Sequence, residues 1–366
     1  MENKKCKTGK WPVRLVVADF AFCISNAALR IASSACRWIT PILGGLLLCC
    51  AVRADEPTLS IKPGRIVDAL KHALPIVETA AESYPFHREC FSCHHQTLPV
   101  MAMVTSHGIG LETNAVLLAE QTEFTRKSFH DSTDNLRKGE AIGGRAMTVG
   151  YGLWALRLAG HKPDETTEAM VTYLLKTQKP EGHWERQMSR PPLEDSNVTC
   201  TVLAAYGMRQ HAAETQRADV EAAVSKAQAW LAQVKLETQE DKVSRLWGIE
   251  LLGGGEVERM SVRQSVLATQ RDDGGWGQLA EMSSDAYATG QTLYVLQATG
   301  LSPAEPAYRR GVEFLLKTQC DDGSWFVKTR SKPIQEYFDN GDPHEENQFI
   351  SVPATCWAIV ALAAAK

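Results

Sequence analysis

A Cys-x-x-Cys-His motif occupies residues 90–94, where the chain reads Cys90-Phe-Ser-Cys93-His94. This spacing lets two thiols add to the two vinyl groups of a haem while the adjacent imidazole binds the iron. The motif therefore predicts one covalent haem c, with Cys90 and Cys93 as thioether anchors and His94 as the proximal ligand. A Cys90–Cys93 disulfide, half of a zinc site and a chance match are the alternatives.

Three side chains are candidates for the second axial ligand of the haem iron. Met101 and Met103 follow the motif closely, and a thioether ligand raises the reduction potential of a haem. Both methionines also fit the core of a helix. His344 lies in a long stretch without a helical period, and long ordered segments of this kind are often functional lids. His95 is expected to tune the site through hydrogen bonding.

The first 54 residues have the pattern of an export segment. They carry eight Lys and Arg residues against two acidic ones, and they end in an apolar run at 39–52 followed by small residues. This order is typical of a secretory signal peptide. We predict cleavage after Ala54, or alternatively an uncleaved membrane anchor. Either outcome makes the protein exported, periplasmic or held on the outer side of the membrane, where haem c is attached.

Composition and charge restrict the class of protein further. With 366 residues, 44% of them hydrophobic, the chain can bury a large core. Its net charge is −4, and the basic residues are concentrated before residue 55, which argues against a nucleic-acid partner. Five of the ten cysteines lie in the first 54 residues. Of the remaining five, only Cys90 and Cys93 are close in sequence, which marks them as a dedicated local site.

Two repeats alternate after residue 140. The first, Gln-x-x-(Asp/Glu)-Gly-x-Trp, occurs at 178–184, 270–276 and 319–325, and these segments are named the first, second and third Gln/Trp turns. Each turn ends an amphipathic helical segment. The second repeat consists of segments that are apolar on most sides, and they align on Thr148, Thr199, Thr289 and Thr355. The apolar segments suit an inner ring of helices, and the amphipathic segments suit an outer ring.

Helix-capping residues and the helix breakers Gly and Pro delimit about twelve helical segments. The sequence shows no alternating pattern long enough to predict a β-strand. We therefore predict an all-α fold, an α/α toroid of about six helical hairpins. It forms a single domain over residues 55–366, with the motif at 90–94 as an insert.

The Gln/Trp turns, especially their Asp-Asp-Gly-x-Trp form, resemble the repeats of the squalene cyclase and protein prenyltransferase superfamily, whose fold is an α/α toroid. The resemblance covers residues 140–366 well and residues 64–139 loosely. The segments 90–99 and 284–290 also resemble exported bacterial proteins that pair a Cys-x-x-Cys-His segment with prenyltransferase and squalene-oxidase-type repeats. The leading hypothesis is electron transfer with a redox partner protein, and an apolar, isoprenoid or quinone-like molecule in the barrel cavity beside the haem.

The chain departs from both enzyme families at their functional residues. The Asp-x-Asp-Asp acid of squalene–hopene cyclases is absent, and no Asp-x-Cys precedes Cys356 as in a prenyltransferase zinc site. Asp195, Asp272 and Asp285 are the acids that a terpene cyclase-like enzyme would use here, although all three fit turns or helix N-caps. The sequence therefore assigns no catalytic residue. A terpene cyclase-like or prenyltransferase-like enzyme and a non-catalytic binding toroid remain alternatives.

Overall fold

The computed structural model describes residues 61–333 and 335–366. These residues contain thirteen α-helices and no β-strand, which confirms the prediction of an all-α chain. The export segment predicted at residues 1–54 lies outside the described residues. The helices are α1 (Pro63–His87), α2 (Leu98–Gly108), α3 (Ala115–His130), α4 (Thr133–Lys138), α5 (Arg145–Leu158), α6 (Glu165–Thr177), α7 (Asn197–His211), α8 (Arg217–Leu231), α9 (Gln239–Leu252), α10 (Glu256–Leu267), α11 (Ala286–Ala298), α12 (Pro306–Thr318) and α13 (Gln348–Ala364).

Six of the helices form a closed inner ring. Helices α2, α5, α7, α9, α11 and α13 pack against one another in this order, and α13 packs back against α2. Their residues are buried on nearly every side; in α13 every residue from 350 to 363 is buried. A helix without a polar face is stable only when it is surrounded by protein. The predicted inner ring is therefore confirmed.

The long helices α1, α3, α6, α8, α10 and α12 alternate with the inner helices along the chain and form the outer ring. Helix α12 is typical, because it buries Tyr308, Val312 and Leu315 along one face and carries charged residues elsewhere. Helix α4 has no counterpart in the sequence prediction. It has only six residues before Gly139 ends it at φ 77°, which is too short for a helical period to show.

The three Gln/Trp turns join neighbouring outer helices. In each turn the Gln side-chain amide donates to the carbonyl of the Gly in the same turn and to a carbonyl of the next outer helix. The first turn reaches α8, the second α12 and the third α1. Because Gln319 donates to Ala69 O at 2.9 Å, the third turn connects the last outer helix to the first. The turns thus hold the outer ring closed.

Each Gln/Trp turn also attaches to an inner helix. The Trp backbone N–H donates to a Thr hydroxyl, which is Thr201 for the first turn, Thr289 for the second and Thr355 for the third. The sequence alignment on Thr199 was therefore wrong by two residues. Thr199 instead bonds Glu240 and Ser244 on α9. Both threonines lie on a helix that is buried all round, so the pattern of apolar residues does not distinguish them.

Four aromatic side chains meet inside the inner ring. Trp154, Trp247, Tyr294 and Trp357 come from α5, α9, α11 and α13, with ring centroids 4.8–6.5 Å apart. Trp154 and Trp247 are in contact although α7 lies between their helices in the ring. Contacts between helices that are not neighbours can form only across the centre. Aromatic rings therefore fill the interior of the toroid at this level.

One described helix is long and apolar enough to cross a membrane by length and composition, at residues 345–364. In the structure this segment is α13 with the turn before it. Because 83% of its apolar window is buried inside the protein, its composition is explained by its place in the inner ring.

Candidate functional site

The Cys-x-x-Cys-His motif lies in the connection between α1 and α2. Cys93–Thr97 forms one π-helical turn that leads into α2 and packs against α5 and α13. Gln96 holds this turn, because its Oε1 accepts the Ser92 backbone N–H at 2.8 Å and its Nε2 donates to Gln121 Oε1 at 3.3 Å. Both ends of the Gln96 amide are thus bonded and buried. The motif is fixed to the inner ring.

The two motif cysteines have different surroundings. Both are free thiols in the structure. Cys90 is exposed, and its Sγ lies 3.7 Å from the hydroxyl of Tyr84. Cys93 is buried, with its Sγ 3.7 Å from Glu194 Oε1. Burial and the Glu194 carboxylate raise the pKa of Cys93 well above its ordinary value, so this thiol stays protonated at neutral pH.

The imidazole of His94 is held by a short chain of hydrogen bonds. His94 Nδ1 bonds His95 Nδ1, and His95 Nε2 bonds the side-chain amide of Asn340. Burial, then His95 and Arg190, lowers the pKa of His94 well below its ordinary value, and burial lowers the pKa of His95 to about 3. Both imidazoles are therefore neutral at pH 7. Neutral imidazole is the form that binds metals, and His94 Nε2 has no hydrogen-bond partner within the described residues.

An ion pair from the 178–197 connection borders the motif. Arg190 Nη1 bonds Glu194 Oε2 at 3.2 Å, and the Arg190 guanidinium stacks on the ring of Phe349. Phe349 in turn contacts His94, with ring centroids 4.8 Å apart. Arg190 Nε and Ser92 Oγ are buried without a hydrogen-bond partner among the described residues. Unsatisfied buried polar atoms are rare in proteins and often indicate a missing ligand or water.

The three candidates for the second axial ligand lie in different places. Met101 and Met103 are almost completely buried on α2, in two separate apolar clusters. His344 lies in the irregular segment before α13, where its Nε2 contacts Ser324 Oγ at 2.6 Å and its ring contacts Phe326. The second axial ligand remains a prediction.

Sequence reasoning missed a carboxyl group inside the ring. Glu240 on α9 is buried, and it accepts hydrogen bonds from Thr199, Gln291 and Tyr287 at 3.0, 3.1 and 3.2 Å. Burial raises the pKa of Glu240 to about 7. The adjacent cleft measures about 10 Å³, room for about one water molecule. No clear sign of this group was visible in the sequence, because half of the residues of α9 are polar and acidic residues are common at the start of a helix.

The acids that the sequence singled out have structural roles. Asp285 caps α11 by accepting the Ala288 N–H at 2.9 Å, and burial raises its pKa to about 6. Asp195 is bonded by Ser189 Oγ at 2.7 Å, and Asp272 is exposed in the second Gln/Trp turn. Glu240 differs from these acids because three side chains inside the ring donate to its carboxylate and no cationic side chain of the described residues pairs with it.

Comparison with solved structures defines the fold class. A type II terpene cyclase from Scytonema, MstE, superposes with a TM-score of 0.55 at 14% identity, covering 83% of this chain and 98% of that one. A variant of MstE solved with geranylgeranyl dihydroxybenzoate gives 0.52 at 14% identity, with the same coverage. A possible member of the GH105 family from Salmonella enterica gives 0.50 at 12% identity, covering 84% of this chain and 95% of that one.

No protein-family profile and no curated protein matches the sequence. The structural similarities establish an α/α toroid fold, and at these identities they establish the fold alone.

Proposed function

We propose that this terpene cyclase-like toroid is an exported c-type haem protein whose role is electron transfer. The observation that carries the proposal is the Cys-x-x-Cys-His motif, in which His94 offers a neutral imidazole with an unbonded Nε2. Cys90 and Cys93 would hold one haem c through two thioether bonds, and His94 would bind its iron. The periplasmic side of the membrane is the proposed location, because haem c is attached there.

Three features of the chain fit a haem at this place. Both thiols are free to react, and His95 with Asn340 fixes the orientation of the His94 ring, as residues behind a metal ligand commonly do. Arg190 Nε is a buried donor without an acceptor, and a carboxylate substituent of the ligand would satisfy it. When bound, a haem supplies a one-electron couple. The two motif cysteines would anchor the haem, His95 and Asn340 would orient its iron ligand, and Arg190 Nε would donate a hydrogen bond to its carboxylate.

The proposal also includes an apolar molecule bound in the barrel cavity and a partner protein that exchanges electrons with the haem. An MstE variant of the same fold was solved with geranylgeranyl dihydroxybenzoate, which supports an apolar or isoprenoid ligand for this toroid. In this chain such a ligand would have to stack on or displace the aromatic rings of Trp154, Trp247 and Trp357.

The test is expression of the full chain with haem-attachment machinery, followed by pyridine haemochrome spectroscopy of the denatured protein. We expect about one covalent haem per chain and none in a Cys90→Ser/Cys93→Ser variant. The control, Cys200→Ala, removes a buried thiol outside the motif and should keep its haem. His94→Ala should retain the thioether bonds in this assay but change the absorption spectrum of the native protein. Purified wild-type protein without covalent haem would refute the proposal.

A second candidate function is proton transfer to an apolar ligand, as in a terpene cyclase-like enzyme. The observation that favours it is Glu240, a buried carboxyl whose pKa of about 7 keeps a large share of it protonated at neutral pH. Burial thus keeps a proton on this carboxyl and shields it from water, so a protonated acid faces the interior at neutral pH. Glu240 lies beside the ring interior that the aromatic cluster fills.

Turnover of squalene or geranylgeranyl diphosphate by the purified chain tests this candidate. We expect activity to fall by at least about 100-fold in Glu240→Gln, the usual range for loss of a general acid. Asp272→Asn is the control, because Asp272 is exposed in the second Gln/Trp turn and should have little effect. Absence of any product with wild-type protein, or equal activity in both variants, would exclude this candidate.

A further inference from the structure

The third Gln/Trp turn carries a group of side chains that its two counterparts lack. Cys320, Asp322 and His344 each offer one metal-binding atom, and these atoms all lie within 4.8 Å of one another. No other group of three His, Cys, Asp or Glu side chains within residues 61–333 and 335–366 meets this condition. In particular, Cys90, Cys93 and His94 do not form such a group. We propose that Cys320, Asp322 and His344 form a zinc-binding site.

The donor set selects the metal. One thiolate, one carboxylate and one imidazole suit zinc, whereas calcium and magnesium prefer oxygen ligands only. Tetrahedral zinc places its ligand atoms about 3–4 Å apart, given bonds of about 2.0–2.3 Å. The three side chains therefore need only small rotations to close around an ion.

The backbone of the turn fixes two of the ligands. The Cys320 N–H donates to Ser324 O at 2.9 Å, and Asp322 Oδ1 accepts the Ser324 backbone N–H at 2.8 Å. Cys320 and Asp322 are two residues apart within this closed turn, so their side chains are held near each other independently of any metal.

The segment before α13 brings in the third ligand. Asp342 Oδ1 accepts the His344 backbone N–H at 3.0 Å, and the Asp342 N–H donates to Asn340 Oδ1 at 2.9 Å. Ser324 Oγ lies between the ligands, 2.5 Å from Asp322 Oδ1 and 2.6 Å from His344 Nε2. The irregular segment is thus docked on the third turn through His344.

A buried carboxylate oxygen supports the assignment independently. Asp342 is 5% exposed, and its Oδ2 has no hydrogen-bond partner among the described residues. Carboxylates commonly accompany metal-bound histidines and offset the charge of the ion. An ion held by His344 places positive charge near this carboxylate.

The exposure of the ligands indicates an open coordination position. Cys320 and His344 are half-buried, and Asp322 is exposed. Three protein ligands with solvent on one side are typical of zinc sites that keep a fourth position for water or a ligand. The proposed site shares only His344 with the haem proposal, and a His344 that binds zinc is not the second axial ligand of the haem.

The test is titration of the full chain with Zn²⁺ and with Co²⁺, monitored by calorimetry and by absorption. We expect about one ion per chain and, with Co²⁺, a thiolate-to-metal charge-transfer band. Cys320→Ser should lose the band, and His344→Ala should weaken binding by about 100-fold or more, beyond the loss usual for a supporting residue. Zinc should also raise the Tm of the wild type and not that of His344→Ala, which reports on binding even where a variant is less stable.

Two control variants separate this site from the rest of the chain. Cys90→Ser/Cys93→Ser removes the motif thiols and should leave the charge-transfer band intact. Asp273→Asn changes the residue of the second turn that corresponds to Asp322, and it should leave the affinity unchanged. No binding by the wild type, or a band that disappears with Cys90 and Cys93 and survives Cys320→Ser, would overturn the proposal.

Discussion

The second and third Gln/Trp turns share one backbone scaffold. In both, the Gln amide donates to the turn Gly and to the next outer helix, and the Trp indole N–H donates to a carbonyl in the preceding helix at 2.9–3.0 Å. Gly274 and Gly323 both have positive φ angles, 88° and 97°. The hydrogen bonds that close the ring are therefore identical in kind at the two places.

The side chains that the scaffold carries are different. After the Gln, the second turn has Arg271, which donates to Leu279 O and Ala280 O, whereas the third turn has Cys320. Asp273 accepts from Ser284 Oγ, whereas Asp322 lies beside His344. The comparison teaches that ring closure uses the backbone, Gln, Gly and Trp. The remaining positions are free to carry chemistry.

The largest loss of stability is expected from substitution of the glycines in the Gln/Trp turns. A Cβ at Gly323 or Gly274 would lie 2.6 Å from a backbone carbonyl of the next outer helix, in addition to the strain of a positive φ. We expect Gly323→Ala and Gly274→Ala each to lower the free energy of unfolding by about 3 kcal/mol or more, measured in urea. Gly160→Ala, at φ 73° with open space around its Cβ, should cost only about 1 kcal/mol. Equal losses in all three variants would contradict the close-approach argument.

The free energy of unfolding should depend on pH through the helix start after the second turn but not through the helix start after the third turn. Asp285, which follows the second turn, has a folded pKa of about 6 because of burial, against an ordinary value of 3.8. The folded state therefore binds this proton more tightly, and its contribution to stability falls as pH rises from about 4 to about 6. The change in the free energy of unfolding caused by Asp285→Asn, measured in urea, should therefore be more favourable at pH 7 than at pH 4 by roughly 2 kcal/mol.

The helix after the third turn provides the contrast. Helix α13 begins after Asn347, which has no titratable side chain. Asn347→Ala should therefore change stability by the same amount at pH 4 and pH 7. A pH-independent effect of Asp285→Asn would show that Asp285 keeps an ordinary pKa.

Removal of the Gln319 side-chain amide, which joins two outer helices, should lower the free energy of unfolding by an intermediate amount. Gln319→Leu leaves the Ala69 and Gly323 carbonyls without this donor, and we expect a loss of about 2 kcal/mol in urea unfolding. Gln270→Leu should cost slightly more, because Arg310 also donates to Gln270 Oε1. A negligible effect of Gln319→Leu beside a large effect of Gln270→Leu would mean that the ring is closed by helix packing alone.

The smallest effect on stability should come from substituting the residue that follows the Gln of the turn, which is Arg271 in the second turn and Cys320 in the third. Cys320→Arg gives the third turn the residue that the second turn has, and we expect the free energy of unfolding without metal to change by about 0.5 kcal/mol or less. The same variant should lose zinc binding in the titration described above. A large loss of stability without metal would show that Cys320 belongs to the ring-closing scaffold.

The fold was largely predictable because its signals are local. Helix periodicity, helix-capping residues and the repeated Gln-x-x-(Asp/Glu)-Gly-x-Trp predicted both rings and about twelve of the thirteen helices observed in the described residues. The turn residues are repeated because each must meet a neighbouring helix in the same way. Helix α4 and the pairing of Thr201 were missed, since neither changes the apolar pattern.

The sites were less predictable because their residues are distant in sequence. The motif at 90–94 could be recognised from consecutive residues of the sequence. Arg190, Glu194 and Asn340, in contrast, approach it from loops that are distant in sequence. His344 meets Cys320 only because an irregular segment folds back on the third turn. No periodicity governs such a segment, so its contacts depend on tertiary structure alone.

The hydrogen bond from Gln319 to Ala69 joins residues that are 250 positions apart. The outer ring therefore closes only after its last helix has been synthesised. During synthesis, α1 and α2 are made first, yet their lateral neighbours α12 and α13 are made last. Until then the nascent protein is an open arc with two uncovered apolar ends, a form prone to wrong association. Loss of the last few dozen residues should therefore disturb the whole circle, since the N-terminal hairpin loses the neighbour that completes its burial.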